Sequence, residues 1–284
     1  MKRTILGMAA AALLATSAPV LSAEWTDFSL GYRYGQDFRE PANKNDIQKN
    51  ILNLTSVNGY KHGSNLISLD VLKSDHNDPA NGAGSNGAQE LFLVYNHQFG
   101  YGKIVNGAPL NYGILKDVSM MAGTDLNAKN TAFAPNKEAL YAGPTFNLSI
   151  PTPTPGWFDI SLRGYKEWNH NSFGTDKNVV FDPTYMLAVA WGIPFNVGPV
   201  PFSFKGFANY VGEKGKDAKG IDTKAETLMR TYLMADIGAL MGKAKFAYLG
   251  VGFEYWKNKF GNPTNSDTNK TTECPVIAFE LHPF

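Results

Sequence analysis

Apolar and polar positions along this chain exchange at nearly every residue, not every three or four, in runs of about ten residues. Phe28, Leu30, Tyr32 and Tyr34 are interleaved with Ser29, Gly31, Arg33 and Gly35. Leu140, Ala142, Phe146, Leu148 and Ile150 are interleaved with Tyr141, Gly143, Thr145, Asn147 and Ser149. Successive side chains of a strand point to opposite faces, so each run predicts a strand with one greasy face and one polar face. The same alternation recurs over 67–71, 89–99, 158–167, 185–193, 202–209, 229–237, 249–255 and 274–284, with weaker runs over 47–60 and 111–125. Together they predict about twelve strands.

The connections sort by length. Those near residues 36, 74, 126, 169, 212 and 259 are long and polar, whereas those near 62, 151, 194 and 242 are short and rich in Gly, Pro or small residues. The stretch 101–109 reads as a turn or short crossover. A soluble sandwich has no reason to lengthen every second loop, but an outer-membrane barrel does, with short turns at the periplasm and long loops outside. The fold class predicted is therefore all-β, an antiparallel transmembrane β-barrel of about 12 strands. An even strand count returns both chain ends to one side. The charge-free run 183–204 is not a spanning helix, because Pro194, Pro199, Pro201, Gly192 and Gly198 interrupt it.

At the end of the chain, Ile277, Phe279 and Leu281 share the lipid-facing parity, which places Cys274 and Glu280 inside and Phe284 out of phase. Pro283 then marks a bulge or frayed end. At the other end, Lys2 and Arg3 precede the apolar run 5–14 and the small-residue stretch ending at Ala23. This pattern predicts a signal peptide over 1–23, cleaved near Ala23, and a barrel over 24–284 in the bacterial outer membrane.

Charge narrows the partners. The formal net charge of +1 falls close to neutral once Lys2 and Arg3 are removed, which argues against binding a nucleic-acid polymer. The single cysteine, Cys274, excludes an intramolecular disulfide and any cysteine-based metal cluster. No metal and no cofactor is expected.

If the apolar parity faces lipid, the lumen receives Arg33, Asp70, Asp159, Arg163, Glu167, Lys205, Arg230, Asp236 and Glu254, with Tyr165, Phe207 and Tyr232 among them. Charges of both signs argue against a single-sign ion filter. Rings and charges together suit small polar solutes that carry an aromatic ring, since stacking supplies roughly 1–3 kcal/mol and charges orient hydroxyls. The alternative is a structural or adhesive barrel whose charges pair off and plug the lumen. Enzymatic signals are poor. The segment 83–87 misses the first glycine of a nucleophile elbow, and the five histidines have no metal-type spacing.

The segment Leu110-Asn-Tyr-Gly-Ile-Leu-Lys-Asp117, continued by Ala122-Gly-Thr-Asp125, resembles the Tsx-like family of nucleoside-specific outer-membrane channels, which includes the phage receptor OmpK. Gly206-Phe-Ala-Asn-Tyr210 and Tyr255-Trp-Lys-Asn-Lys-Phe-Gly261 echo it further. Gly113, Lys116 and Asp117 fall on motif positions, while Ile114 stands where the family has proline and Tyr112 where it has phenylalanine. The resemblance implies a twelve-stranded monomer in outer-membrane lipid that passes nucleosides through a narrow lumen. It also implies outer loops exploited by phage or colicin.

Overall fold

The computed structural model describes residues 23–81, 86–172, 177–265 and 267–283. The predicted signal segment 1–22, most of the elbow-like segment 83–87 and the out-of-phase Phe284 therefore lie outside the described residues.

Strands β1 (Ala23–Phe38), β2 (Ile47–Tyr60), β3 (Gly63–Ser74) and β4 (Gln89–Gly100) form an antiparallel meander. A short helix α1 (Tyr101–Asn106) then leads to β5 (Leu115–Lys129), β6 (Asn136–Ile150) and β7 (Gly156–His170). The next strand is interrupted, with β8 (Asn178–Val180) and β9 (Thr184–Val197) both pairing with β7. The chain continues through β10 (Val200–Val211), β11 (Glu226–Asp236), helical turn α2 (Ile237–Leu240), β12 (Ala247–Lys257) and β13 (Thr272–Leu281). Pairing of β1 with β13 shuts the ring, so with β8 and β9 taken together the architecture is a closed antiparallel barrel of 12 strands.

The period-two pattern sets the register. Leu30, Leu54, Leu69, Leu93 and Leu126 are successive Cα partners across five adjoining strands, a continuous row on the outer face. A one-residue slip of any of these strands would turn its leucine inward and its polar residues outward, which the membrane-facing surface forbids. Elsewhere the outside carries exposed Leu52, Leu140, Leu162, Leu187, Val251 and Ile277. Aromatic residues flank this band. Phe99, Tyr101, Phe195 and Phe202 lie toward the short-turn end, and Tyr185 and Tyr210, with ring centroids 6.1 Å apart, toward the long-loop end. An apolar band between aromatic girdles is the exterior of a barrel built for a bilayer.

A turn and a ladder end show why the residues are where they are. Gly198 and Pro199 form the two-residue link between β9 and β10, with Gly198 at φ +59°, a conformation that favours glycine. The ladder between β1 and β13 ends at Gly35 and Val276, and the next residue is Pro275, which has no N–H to donate.

Several strand boundaries differ from the sequence reading. β5 starts at Leu115 and runs on to Lys129, so the polar residues Asn127 and Lys129 are strand, and the connection beyond them is only 130–135. Their polarity reflects the lumen face and not a loop. The connection near 242 is not a tight turn, because β11 stops at Asp236 and α2 begins, leaving Ile237 outside the strand. Asp236, the last residue of β11, keeps the interior parity but does not line the lumen cavity. Its Oδ1 accepts from Ala239 N at 2.9 Å and its Oδ2 from Lys245 N at 2.7 Å, so it holds that turn. At the end of β13, Cys274 and Glu280 face inward as expected, and His282 N donates to Phe246 O at 2.8 Å just past the strand.

Candidate solute site in the barrel lumen

Most interior side chains arise from the polar parity of the strands, with small or apolar ones from β9 and β13, and they assemble into layers. Toward one wall, Arg33 Nη2 meets Asp70 Oδ2 at 2.5 Å, and the same oxygen lies 3.1 Å from Arg230 Nη1. Arg230 Nε donates to Glu254 Oε2 at 2.6 Å, and Arg33 Nη1 donates to the Tyr232 hydroxyl at 2.9 Å. Asn53 Nδ2 adds a donor to Asp70 Oδ1 at 2.7 Å. Two carboxylates and two guanidiniums are thereby neutralised within a single network, as burial requires.

Beyond that layer toward the long loops, Phe38, Ile47, Ile51, Leu72, Cys274 and Val276 form a buried apolar cluster. Farther out lies a second ionic layer. Glu40 meets Lys49, Lys259 at 2.8 Å and Lys129 at 3.3 Å, while Lys129 also meets Asp78 at 2.8 Å and Lys49 reaches Glu90 at 3.4 Å. Burial alone would push the Glu40 carboxyl up, but the ammoniums of Lys129, Lys259 and Lys49 outweigh it and hold the group well below the usual carboxylate range. The connection after β12 folds inward to supply Lys259, with Asn258 and Phe260 in the left-handed region at φ 50° and 58°. These residues close off this side of the lumen at the loop end.

On the opposite wall, β7 contributes Asp159, Arg163, Tyr165 and Glu167 on one face. The Tyr165 hydroxyl donates to Glu167 Oε2 at 2.7 Å, and Lys214, from the connection after β10, reaches the same oxygen at 2.5 Å. Tyr141 stacks on Tyr165 with ring planes 6° apart and centroids at 6.4 Å. The Tyr141 hydroxyl sits 2.9 Å from Asn96 Oδ1 and 3.0 Å from Asp125 Oδ1. Lys137 bridges the two walls, 3.7 Å from Asp125 and 5.8 Å from the ring centroids of both Phe92 and Tyr165.

Between the walls is a cavity of about 810 Å³, within the range that holds a small organic ligand. Its lining runs from Trp25 and Trp157, at the short-turn ends of their strands, to Glu226 and Trp256, near the loop end. Trp256 Nε1 donates to Glu226 Oε1 at 2.5 Å, so the floor there is fixed. Trp157 lies flat across Gly192 of the neighbouring strand, where a Cβ would come within 2.4 Å of Nε1; glycine is what makes room for the ring.

Of the residues singled out from sequence, Asp70, Asp159, Arg163, Tyr165, Phe207 and Arg230 line this cavity. Arg33, Tyr232 and Glu254 stand behind it as partners of Asp70 and Arg230, and Glu167 stands behind Tyr165. Lys205 lies nearer the short-turn end, paired with Glu280, which is also 3.5 Å from His282. Among the motif positions, Lys116 lines the cavity, Gly113 sits at φ +59° in the turn before β5, and Asp117 accepts from Gly102 N at 2.9 Å to anchor α1. Sequence reasoning did not single out Asp125, Lys137, Tyr141, Lys214, Glu226 or Trp256. Tyr141 shares the interior parity of Thr145 and Asn147 and was open to discovery by that signal; Lys214 lies in a connection, where no period exists.

The interior cations Arg33, Lys49, Lys129, Lys137, Lys205, Lys214, Arg230 and Lys259 each approach a carboxylate within 3.7 Å. Arg163 does not. Among the described residues no group of His, Cys, Asp and Glu is arranged to hold a metal ion.

No family model and no curated protein matches the chain. Among solved structures it is similar to the NanC porin, at 10% identity over 90% of this chain and 99% of that one, with a TM-score of 0.47. It is similar also to the COG4313 outer membrane channel from Pseudomonas putida F1, at 13% identity over 92% and 95% of the two chains, TM-score 0.48. The β domain of the Bordetella autotransporter BrkA follows, at 8% identity over 90% and 98%, TM-score 0.38.

Proposed function

We propose that this barrel is a passive outer-membrane channel for small polar solutes that carry an aromatic ring, nucleosides foremost. The observation that carries the reading is the cavity of about 810 Å³, walled by a Tyr141–Tyr165 stack and Phe207 beside Asp159, Arg163 and Asn96. Rings offer faces for stacking, and the polar groups next to them offer donors and acceptors for a sugar. The resemblance at Leu110 to Asp117 points the same way. Most interior charges of both signs are paired, so the lumen is not a single-sign ion filter. Liposome swelling tests the reading: nucleosides should enter faster than sugars of equal size, and equal rates would contradict it.

A second reading rests on the buried ionic layer of Glu40, Lys49, Asp78, Glu90, Lys129 and Lys259. If this layer stays shut, the chain is a structural or adhesive barrel whose function lies in its loops, including any use by phage or colicin. Removing residues 75–87 separates the two, since uptake should survive in a channel and surface binding should be lost in an adhesin.

A further inference from the structure

Arg163 stands apart from the other buried cations of the barrel. It is nine-tenths buried, with 9% of its surface exposed, and it lines the cavity. Its Nη2 donates to Ser161 Oγ at 3.1 Å and its Nη1 has only the weak acceptor Met186 Sδ at 3.7 Å. Nε is buried with no partner among the described residues. The guanidinium lies over the Tyr141 ring, 5.2 Å from its centroid. A guanidinium carries five N–H donors in a flat fork that fits two oxygens of one anion, and leaving it half satisfied out of water costs free energy. The barrel pairs its other buried cations with carboxylates and leaves this fork only partly satisfied beside an aromatic ring.

We propose that Arg163 is a specificity-determining residue that takes an oxyanion, a phosphate or carboxylate, borne by the ring-containing solute. This deepens the channel reading and rests on it. The anion docks on the free edge of the guanidinium while the ring of the solute packs near Tyr141 and Tyr165. Asp159, four residues away on the same face of β7, forms no ion pair with that edge and instead accepts from Asn147 Nδ2 at 2.9 Å.

Equilibrium binding to the detergent-folded protein tests this without requiring conduction. The probes are adenosine, adenosine 5′-monophosphate and adenosine 5′-carboxylate, titrated calorimetrically at low and high salt. Either or both anions should bind about tenfold or more tightly than adenosine, the gain expected of a charge-assisted fork. Salt should weaken the anions and spare adenosine. Arg163→Gln should abolish the difference, and Arg163→Lys, which keeps charge but lacks the fork, should restore part of it. The two anions distinguish phosphate from carboxylate. Equal binding of all three, no binding of any by folded wild type, or a preference that survives Arg163→Gln would overturn the proposal. Failure to conduct would sink the channel reading while leaving this measurement intact.

Discussion

Arg230 and Glu254 are Cα partners across β11 and β12, and their side chains meet inside the barrel with Nε 2.6 Å from Oε2. Because Arg230 also reaches Asp70, deleting one carboxylate leaves a buried guanidinium underpaired. Glu254→Ala should destabilise the barrel by about 3–5 kcal/mol, whereas the double change Arg230→Met with Glu254→Leu should cost much less. Urea unfolding in detergent, followed by loss of heat-modifiable migration, measures both.

The outer row of leucines makes a sharper distinction between the faces. Leu54→Arg places a cation in the apolar band and should cost about 2–4 kcal/mol near the bilayer midplane, whereas Thr55→Arg, one residue on and facing the cavity, should cost far less. Unfolding in lipid vesicles compares them, and equal costs would contradict the assigned faces.

Acid should loosen the loop end. Glu40 has a lowered folded-state pKa, so its contribution is present above the unfolded value of about 4.5 and lost as pH falls through the folded one. Stability should therefore drop as the solution is taken below about pH 4, and Glu40→Gln, less stable at neutral pH, should show a smaller drop. Thermal unfolding against pH measures the slope.

The opposite end responds to base. His282 Nδ1 lies 2.7 Å from Asp27 Oδ1, and hydrogen bonds to Asp27 and Glu280 raise the imidazole to about 9, against the small opposing effect of burial. A raised value gives stability that is fully present below the unfolded pKa of 6.5 and is lost as pH rises through about 9. His282→Ala should flatten unfolding curves across that window, and an unchanged pH dependence would contradict the pairing.

Strand number, barrel closure and the two faces were legible because a membrane barrel enforces period two on every strand. Leu30, Leu69 and Leu93 carry that signal plainly, whereas Leu54 lies in a weaker run and Leu126 at the edge of a polar stretch. The ionic groups at the loop end were not legible. Glu40, Asp78, Lys214 and Lys259 lie in connections, and the folded chain brings them against strands far away in sequence. Asp236 is a different case. It keeps the interior parity, but the strand ends on it, and its carboxylate is used up by two backbone amides of the following turn. Asn127 and Lys129 were read as loop because a lumen-facing polar residue and a loop residue look alike until the neighbouring strand is known.

The central claim is that solutes pass through the cavity between the two walls. Single-channel recording of the folded protein in a planar bilayer, with adenosine added to one side, tests it most directly. The account predicts a stable conductance that adenosine blocks in a saturable way, with Tyr141→Ala and Tyr165→Ala each weakening the block by about 1–3 kcal/mol of stacking. Correctly folded protein that shows no conductance, or a conductance indifferent to adenosine, would contradict it.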